Sequence, residues 1–159
     1  WTELDSTVLT SAGTLETSTF AAMDSLYVQI FAAQVGSNNQ CVKFNGDNSA
    51  NYNWRGQAND GAQSTRSAVS NGIIYVYNIT GSTNFCLAQM FISNTADQQK
   101  LVTINTTNAN GTGNDTPTQE FAWGKFNDAT NAITSIQWGS DAAALTNAQA
   151  GSYIKVYGC

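Results

Sequence analysis

The chain of 159 residues carries a net charge of −5 and contains no histidine. Charged residues make up only 11% of it, against about 25% in an ordinary soluble domain; 18 Asn and 19 Thr, with Ser, Gln, Gly and Ala, supply the polar vocabulary instead. The acidic balance argues against nucleic acid or an anionic membrane as partner, no apolar run approaches the ~20 residues of a bilayer-spanning helix, and without histidine the commonest general base and metal ligand are missing.

A hydrophobic share of 42% argues against disorder, and the length fits one domain over 1–159. The basic residues Lys43, Arg55, Arg66, Lys100, Lys125 and Lys155 are scattered. With no basic n-region and no initiating Met before Trp1, either a leader has been removed or this is a mature fragment.

In chain order, the segment from Trp1 to Phe20 combines Trp1, Leu4, Val8, Leu9 and Leu15 with many Thr and Ser. Ser11-Ala12-Gly13 offers a turn that would fold TVLT back on TLET as a local hairpin. The segment then closes the chain's own sandwich; the alternative use is donation to a neighbour's open edge. SLYVQIFAA (25–33) alternates, with Leu26, Val28 and Ile30 on one face and Tyr27, Gln29 and Phe31 on the other. QCVKF (40–44) is strand-like, and a long polar loop is expected over 45–67. IIYVY (73–77) is a continuous β-branched and aromatic run. NFCLAQMFIS (84–93) sets Phe85, Leu87, Gln89 and Phe91 against Cys86, Ala88, Met90 and Ile92. One face carries most of the bulk, yet both are apolar enough for an interior strand.

QKLVTIN (99–105) continues the series, followed by a polar loop over 105–118 that holds the only proline, Pro117. QEFAWGKF (119–126) and AITSIQW (132–138) are further strands. DAAALTNAQA (141–150) is too short between its glycines for more than a loop or a single turn. In SYIKVYG (152–158), Ile154 and Val156 face the core, and Tyr153, Lys155 and Tyr157 face outward. About eight or nine strands with Gly, Asn, Asp and Ser turns predict an all-β fold, a single antiparallel β-sandwich of jelly-roll type.

The 45–67 segment holds the candidate ligand-binding residues Asp47, Asn48, Tyr52, Asn53, Trp54, Arg55 and Asp60. An aromatic face stacks on a pyranose while amides and carboxylates take its hydroxyls. The structural alternative is that Tyr52 and Trp54 pin the loop to the sandwich. Asp47 with neighbouring Asn oxygens also offers calcium-type ligands, without EF-hand spacing. Four N-x-S/T sequons stand at Asn78, Asn105, Asn110 and Asn114, three of them in the 105–118 loop, as on a glycosylated outer surface. Cys41 and Cys86 either bond across a sheet or act as small buried hydrophobes, and Cys159 is free to reach a neighbour. No Cys spacing fits zinc. Ser–His–Asp and Cys–His chemistry need the missing histidine, and the eleven carboxylates form no singled-out pair of the glycosidase kind. No catalytic residue and no cofactor are assigned.

The opening WTELDSTVLTSAGTLE, the central KFNGDNSANYNWR, then FISNTADQQKLV, QEFAWGKFNDATNAITSIQ and the closing GSYIKVYG stand in this order across nearly the whole chain. Together they resemble a group of small β-sandwich proteins of tailed phages and related viruses. The cysteines and the sequon-rich loop depart from that pattern. The resemblance implies a non-enzymatic virion surface component: a head decoration, fibre or tail protein. Its expected partners are copies of itself, other virion subunits and cell-surface carbohydrate, with no nucleic acid and no membrane insertion. Its expected location is the virion surface or the extracellular space. The competing expectations are a subunit of a secreted glycosylated cell-surface filament and a carbohydrate-binding module.

Overall fold

A computed structural model describes residues 1–33, 39–58, 63–69, 72–76, 85–109, 117–140 and 148–159. It is all-β, with no helix among the described residues. The strands are β1 (Thr2–Val8), β2 (Leu15–Glu16), β3 (Ser25–Ala33), β4 (Gln40–Phe44), β5 (Tyr52–Ala58), β6 (Gln63–Val69), β7 (Ile73–Val76), β8 (Phe85–Ser93), β9 (Lys100–Ala109), β10 (Thr118–Phe126), β11 (Ile136–Ser140) and β12 (Tyr153–Gly158). They form two antiparallel sheets: an eight-stranded one in the order β1-β12-β3-β8-β9-β10-β5-β6 and a four-stranded one in the order β2-β11-β4-β7.

The period-two pattern places the core. Leu26, Val28 and Ile30 of β3, Met90 and Ile92 of β8, and Ile154 and Val156 of β12 are buried on the inner face of the large sheet. Val42 and Phe44 of β4 and Ile136 and Trp138 of β11 come from the small sheet and join the same cluster. The two layers approach so closely at Gly124 that a Cβ there would run into the Ile73 side chain. Glycine is required at that point because no other residue leaves room for the facing layer.

The structure corrects four expectations. First, 45–67 is not one long loop: β5 lies within it, β6 begins within it and runs on to Val69, and the two pair antiparallel. β5 also pairs with β10 over seven residues. Their amide- and hydroxyl-rich sequences carry little intrinsic strand signal, and the pairing comes from neighbouring strands. Second, the local N-terminal hairpin does not form. β1 pairs with β12 in the large sheet, whereas β2 pairs with β11 in the small one. The Ser11-Ala12-Gly13 turn therefore switches sheets. The N-terminal strand does close the chain's own sheet, against the C-terminal strand. Third, the AITSIQW strand begins only at Ile136; Ala132 and Thr134 are bonded to the Asn45 side chain instead. Fourth, Asn105 lies within β9, not in a loop. Residues 141–147 fall outside the described set.

Candidate functional site

The turn after β4 is built on left-handed backbone at Asn45 (φ 53°) and Gly46 (φ 64°), which Asn and Gly tolerate best. The Asn45 amide ties the turn to the segment before β11. Its Oδ1 accepts from Thr134 N at 2.8 Å and Ser135 N at 3.2 Å, and its Nδ2 donates to Ala132 O at 2.9 Å. Asp47 caps the next turn, accepting from Ser49 N and from Asn51 Nδ2. Partial burial pulls its carboxyl upward, but the bonds from Asn51 and Ser49 outweigh that and hold it below the ordinary range. Asn48 accepts from Lys43 Nζ at 2.7 Å.

Across a depression of about 600 Å³, lined by both loops, Asp128 repeats the device. It accepts from Thr130 N, Asn131 N and Asn131 Nδ2. Partial burial again raises the carboxyl, while the Asn131 and Thr130 bonds and then the Lys100 charge bring it below the ordinary range. Asp47 accepts two hydrogen bonds and Asp128 three from their own turns. Among the described residues no group of three or more His, Cys, Asp or Glu is placed to hold a metal ion.

Tyr52 and Trp54 do not face this depression. Tyr52 is wholly buried and Trp54 is 3% exposed. The Tyr52 ring stacks on Phe126 at 5.1 Å. Its hydroxyl accepts from Phe44 N at 3.1 Å and has the Phe44 and Asp47 carbonyls within donor reach. Burial pushes this phenol far above its usual range. Neither ring offers a face to a pyranose, so the stacking role expected of them is corrected: β5 alternates, and these two positions point into the sandwich. Asn53 and Arg55, on the alternate positions, point to the other side. Asp60 lies outside the described residues.

That other side is the feature that sequence reasoning missed. Six of the large apolar side chains exposed to solvent stand on the outer face of the large sheet: Phe85, Leu87, Phe91, Leu101, Phe121 and Trp123. The strand register lines them up. One row runs Tyr157, Tyr27, Phe91, Thr103, Trp123, Arg55, each opposite the next. A parallel row runs Lys155, Gln29, Gln89, Asn105, Phe121, Gln57. The rings touch along the sheet: Tyr27 lies 4.9 Å from Phe91 and 6.1 Å from Tyr157, and Phe31 lies 5.6 Å from both Phe85 and Tyr153. Gln29 and Gln89 both donate to the Tyr27 hydroxyl at 2.9 Å. These contacts hold the rings around Tyr27 and Phe31 in place. The available signal was the bulky Phe85–Leu87–Phe91 face of NFCLAQMFIS. The pattern shows two apolar faces and does not say which one is covered.

The sequence's candidate disulfide is not formed. Cys41 and Cys86 are both buried and not disulfide-bonded, and they lie in different sheets. Cys41 stands opposite Ile74 and Gly139, and Cys86 opposite Ala32 and Asn108. Burial, reinforced by the Glu120 charge, pushes the Cys86 thiol well up, and both side chains pack in the hydrophobic core. Cys159 is exposed. Of the sequons, Asn105 is exposed on β9 and accepts from Gln119 Nε2 at 3.3 Å. Asn78, Asn110 and Asn114 lie outside the described residues. No protein family, curated protein or solved structure matches this chain.

Proposed function

We propose that this chain is a non-enzymatic structural subunit of a virion surface, a head decoration, fibre or tail component that works by packing against copies of itself and neighbouring subunits. The observation that carries the reading is the outer face of the large sheet, where rows of aromatics stand in water on a chain with few charges. Interfaces are enriched in aromatics and depleted of Lys, Glu and Asp.

Strand order supports the same class. Without the inserted pairs β5–β6 and β9–β10, eight strands remain, numbered one to eight along the chain. They lie as 1-8-3-6 in the large sheet and 2-7-4-5 in the small one. We read this order as the double Greek key of a jelly roll, an architecture that viral capsid and lectin domains share. The same class includes carbohydrate-binding domains, and the amides interleaved with the outer rings favour a glycan-binding module as the second reading. Donation of the N-terminal strand to form a filament finds less support, because β1 already pairs with β12.

Electron microscopy of the native particles, labelled with antibody raised against the recombinant chain, tests the proposal. Label on heads, fibres or tails is expected. Label confined to cell-surface filaments or to the soluble fraction would overturn it.

A further inference from the structure

The outer face has the size, relief and charge of a self-complementary surface. The outer face spans five strands, β12 to β10, and about eight residues along them, its aromatics interleaved with the polar row Lys155, Gln29, Gln89 and Asn105. At ~4.8 Å per strand and ~3.3 Å per residue that is roughly 24 Å by 26 Å, on the order of 600 Å² before relief is counted. Relief brings it near the ~800 Å² per partner of a standard stable interface.

Phe91, 57% exposed, rises between two depressions. One, of about 370 Å³, is bounded by Trp1, Leu101 and Thr103. The other, of about 150 Å³, is bounded by Gln89, Asn105, Phe121 and Trp123, again with Thr103. Knob and hole therefore stand side by side, and Thr103, directly opposite Phe91 in register, lies between them. Thr103 has Phe91 opposite it on one side and Trp123 on the other, so a two-fold axis running along β9 at Thr103 lays each copy's Phe91 on the other copy's Trp123. The cations of this face, Lys125, Arg55 and Lys155, stand away from Thr103, with Arg55 opposite Trp123 and Lys155 held over the Tyr153 ring at 5.8 Å. The centre presents no charge that would need an opposite partner.

We infer that this face pairs with a second copy of the chain in an isologous, face-to-face dimer whose two-fold axis passes at Thr103. The inference rests on the self-assembly reading and names its interface and symmetry. It carries a consequence for the Asn105 sequon: Asn105 borders the hole, so a glycan there and the dimer exclude each other.

A charge pair tests it. Thr103 is exposed, so Thr103→Asp and Thr103→Lys are expected to fold, with circular dichroism and melting temperature as the check. A residue on a two-fold axis meets its own copy. Each variant alone is expected to dimerise about a hundredfold more weakly or not at all, because like charges oppose across the axis. An equimolar mixture is expected to recover a heterodimer in native mass spectrometry. A wild-type dimer with both variants still dimeric overturns this interface and leaves the self-assembly reading standing. A three-fold assembly overturns the two-fold arrangement. A wild type that stays monomeric at about 100 µM overturns both, and retention of that monomer on an insoluble β-glucan would give the face to a glycan.

Discussion

Trp54→Ala separates a core anchor from a sugar platform. Trp54 is 3% exposed and stands opposite Gly124 in the β5–β10 register. At Gly124 the Ile73 side chain already fills the space a Cβ would need. With neighbours packed this tightly, the surroundings cannot collapse fully into the gap, and the cavity persists. Truncation of a buried Trp costs about 3–5 kcal/mol. At roughly 2–4 °C per kcal/mol for a chain of this size, the melting temperature should fall by about 6–20 °C. Urea unfolding followed by far-ultraviolet circular dichroism gives the free energy directly, with the slope unchanged from wild type. Trp123→Ala is the matched control. Trp123 lies on β10 with 47% of its surface in water, so its loss should cost about half as much or less. A Trp54→Ala loss below about 1 kcal/mol would refute the buried anchor. So would a glycan signal that vanished in this variant at unchanged stability.

Three further outcomes follow from the same contacts. Asn94 is buried and holds Met23 O at 2.9 Å, Ile133 O at 3.0 Å and Ile133 N at 2.6 Å; Asn94→Ala orphans these groups and should cost about 2–4 kcal/mol in thermal unfolding, with a loss under about 0.5 kcal/mol speaking against their role. Asp47 and Asp128 have folded carboxyls held below the reference 3.8. The unfolded chain therefore binds protons first as pH falls, and the stability these groups supply is full above about pH 5 and drains away through and below about pH 4. Melting temperatures recorded down to about pH 2.5 should fall on the acid side, and less steeply in Asp128→Asn; an equal slope would remove Asp128 from the explanation. Of the three cysteines, only Cys159 is exposed, so a thiol reagent should label one group per folded chain quickly and all three after unfolding; rapid labelling of Cys41 or Cys86 in the native protein would contradict their burial.

Much of the sandwich was legible because β3, β8 and β12 alternate bulky apolar residues with period two, and that alternation is what a half-buried strand needs. β5 and β6 were not legible. YNWRGQA and QSTRSAV are written in residues that serve loops as well as strands, and only β10 and the pairing between them make them strands. The same gap misdirected the site. Tyr52 and Trp54, surrounded by Asn and Asp, read as loop aromatics available to a sugar. Once β5 is a strand, alternation drives both inward and leaves Asn53 and Arg55 on the far side. The outer face failed to show for a related reason. Phe85, Leu87 and Phe91 were recognised as the bulkier side of their strand, but bulk alone does not distinguish a core from an interface. That distinction depends on which side the small sheet covers. It covers the Cys86–Ala88–Met90–Ile92 side.

Sedimentation equilibrium of the purified chain across micromolar concentrations tests most directly whether the outer face exists to be covered by another subunit. The expected result is a mass at an integer multiple of 16.9 kDa, reduced to the single-chain value when Phe91 and Trp123 are both changed to Asp, with the fold intact by circular dichroism. A wild type that remains at 16.9 kDa throughout would contradict the account, as would an oligomer indifferent to the loss of both rings.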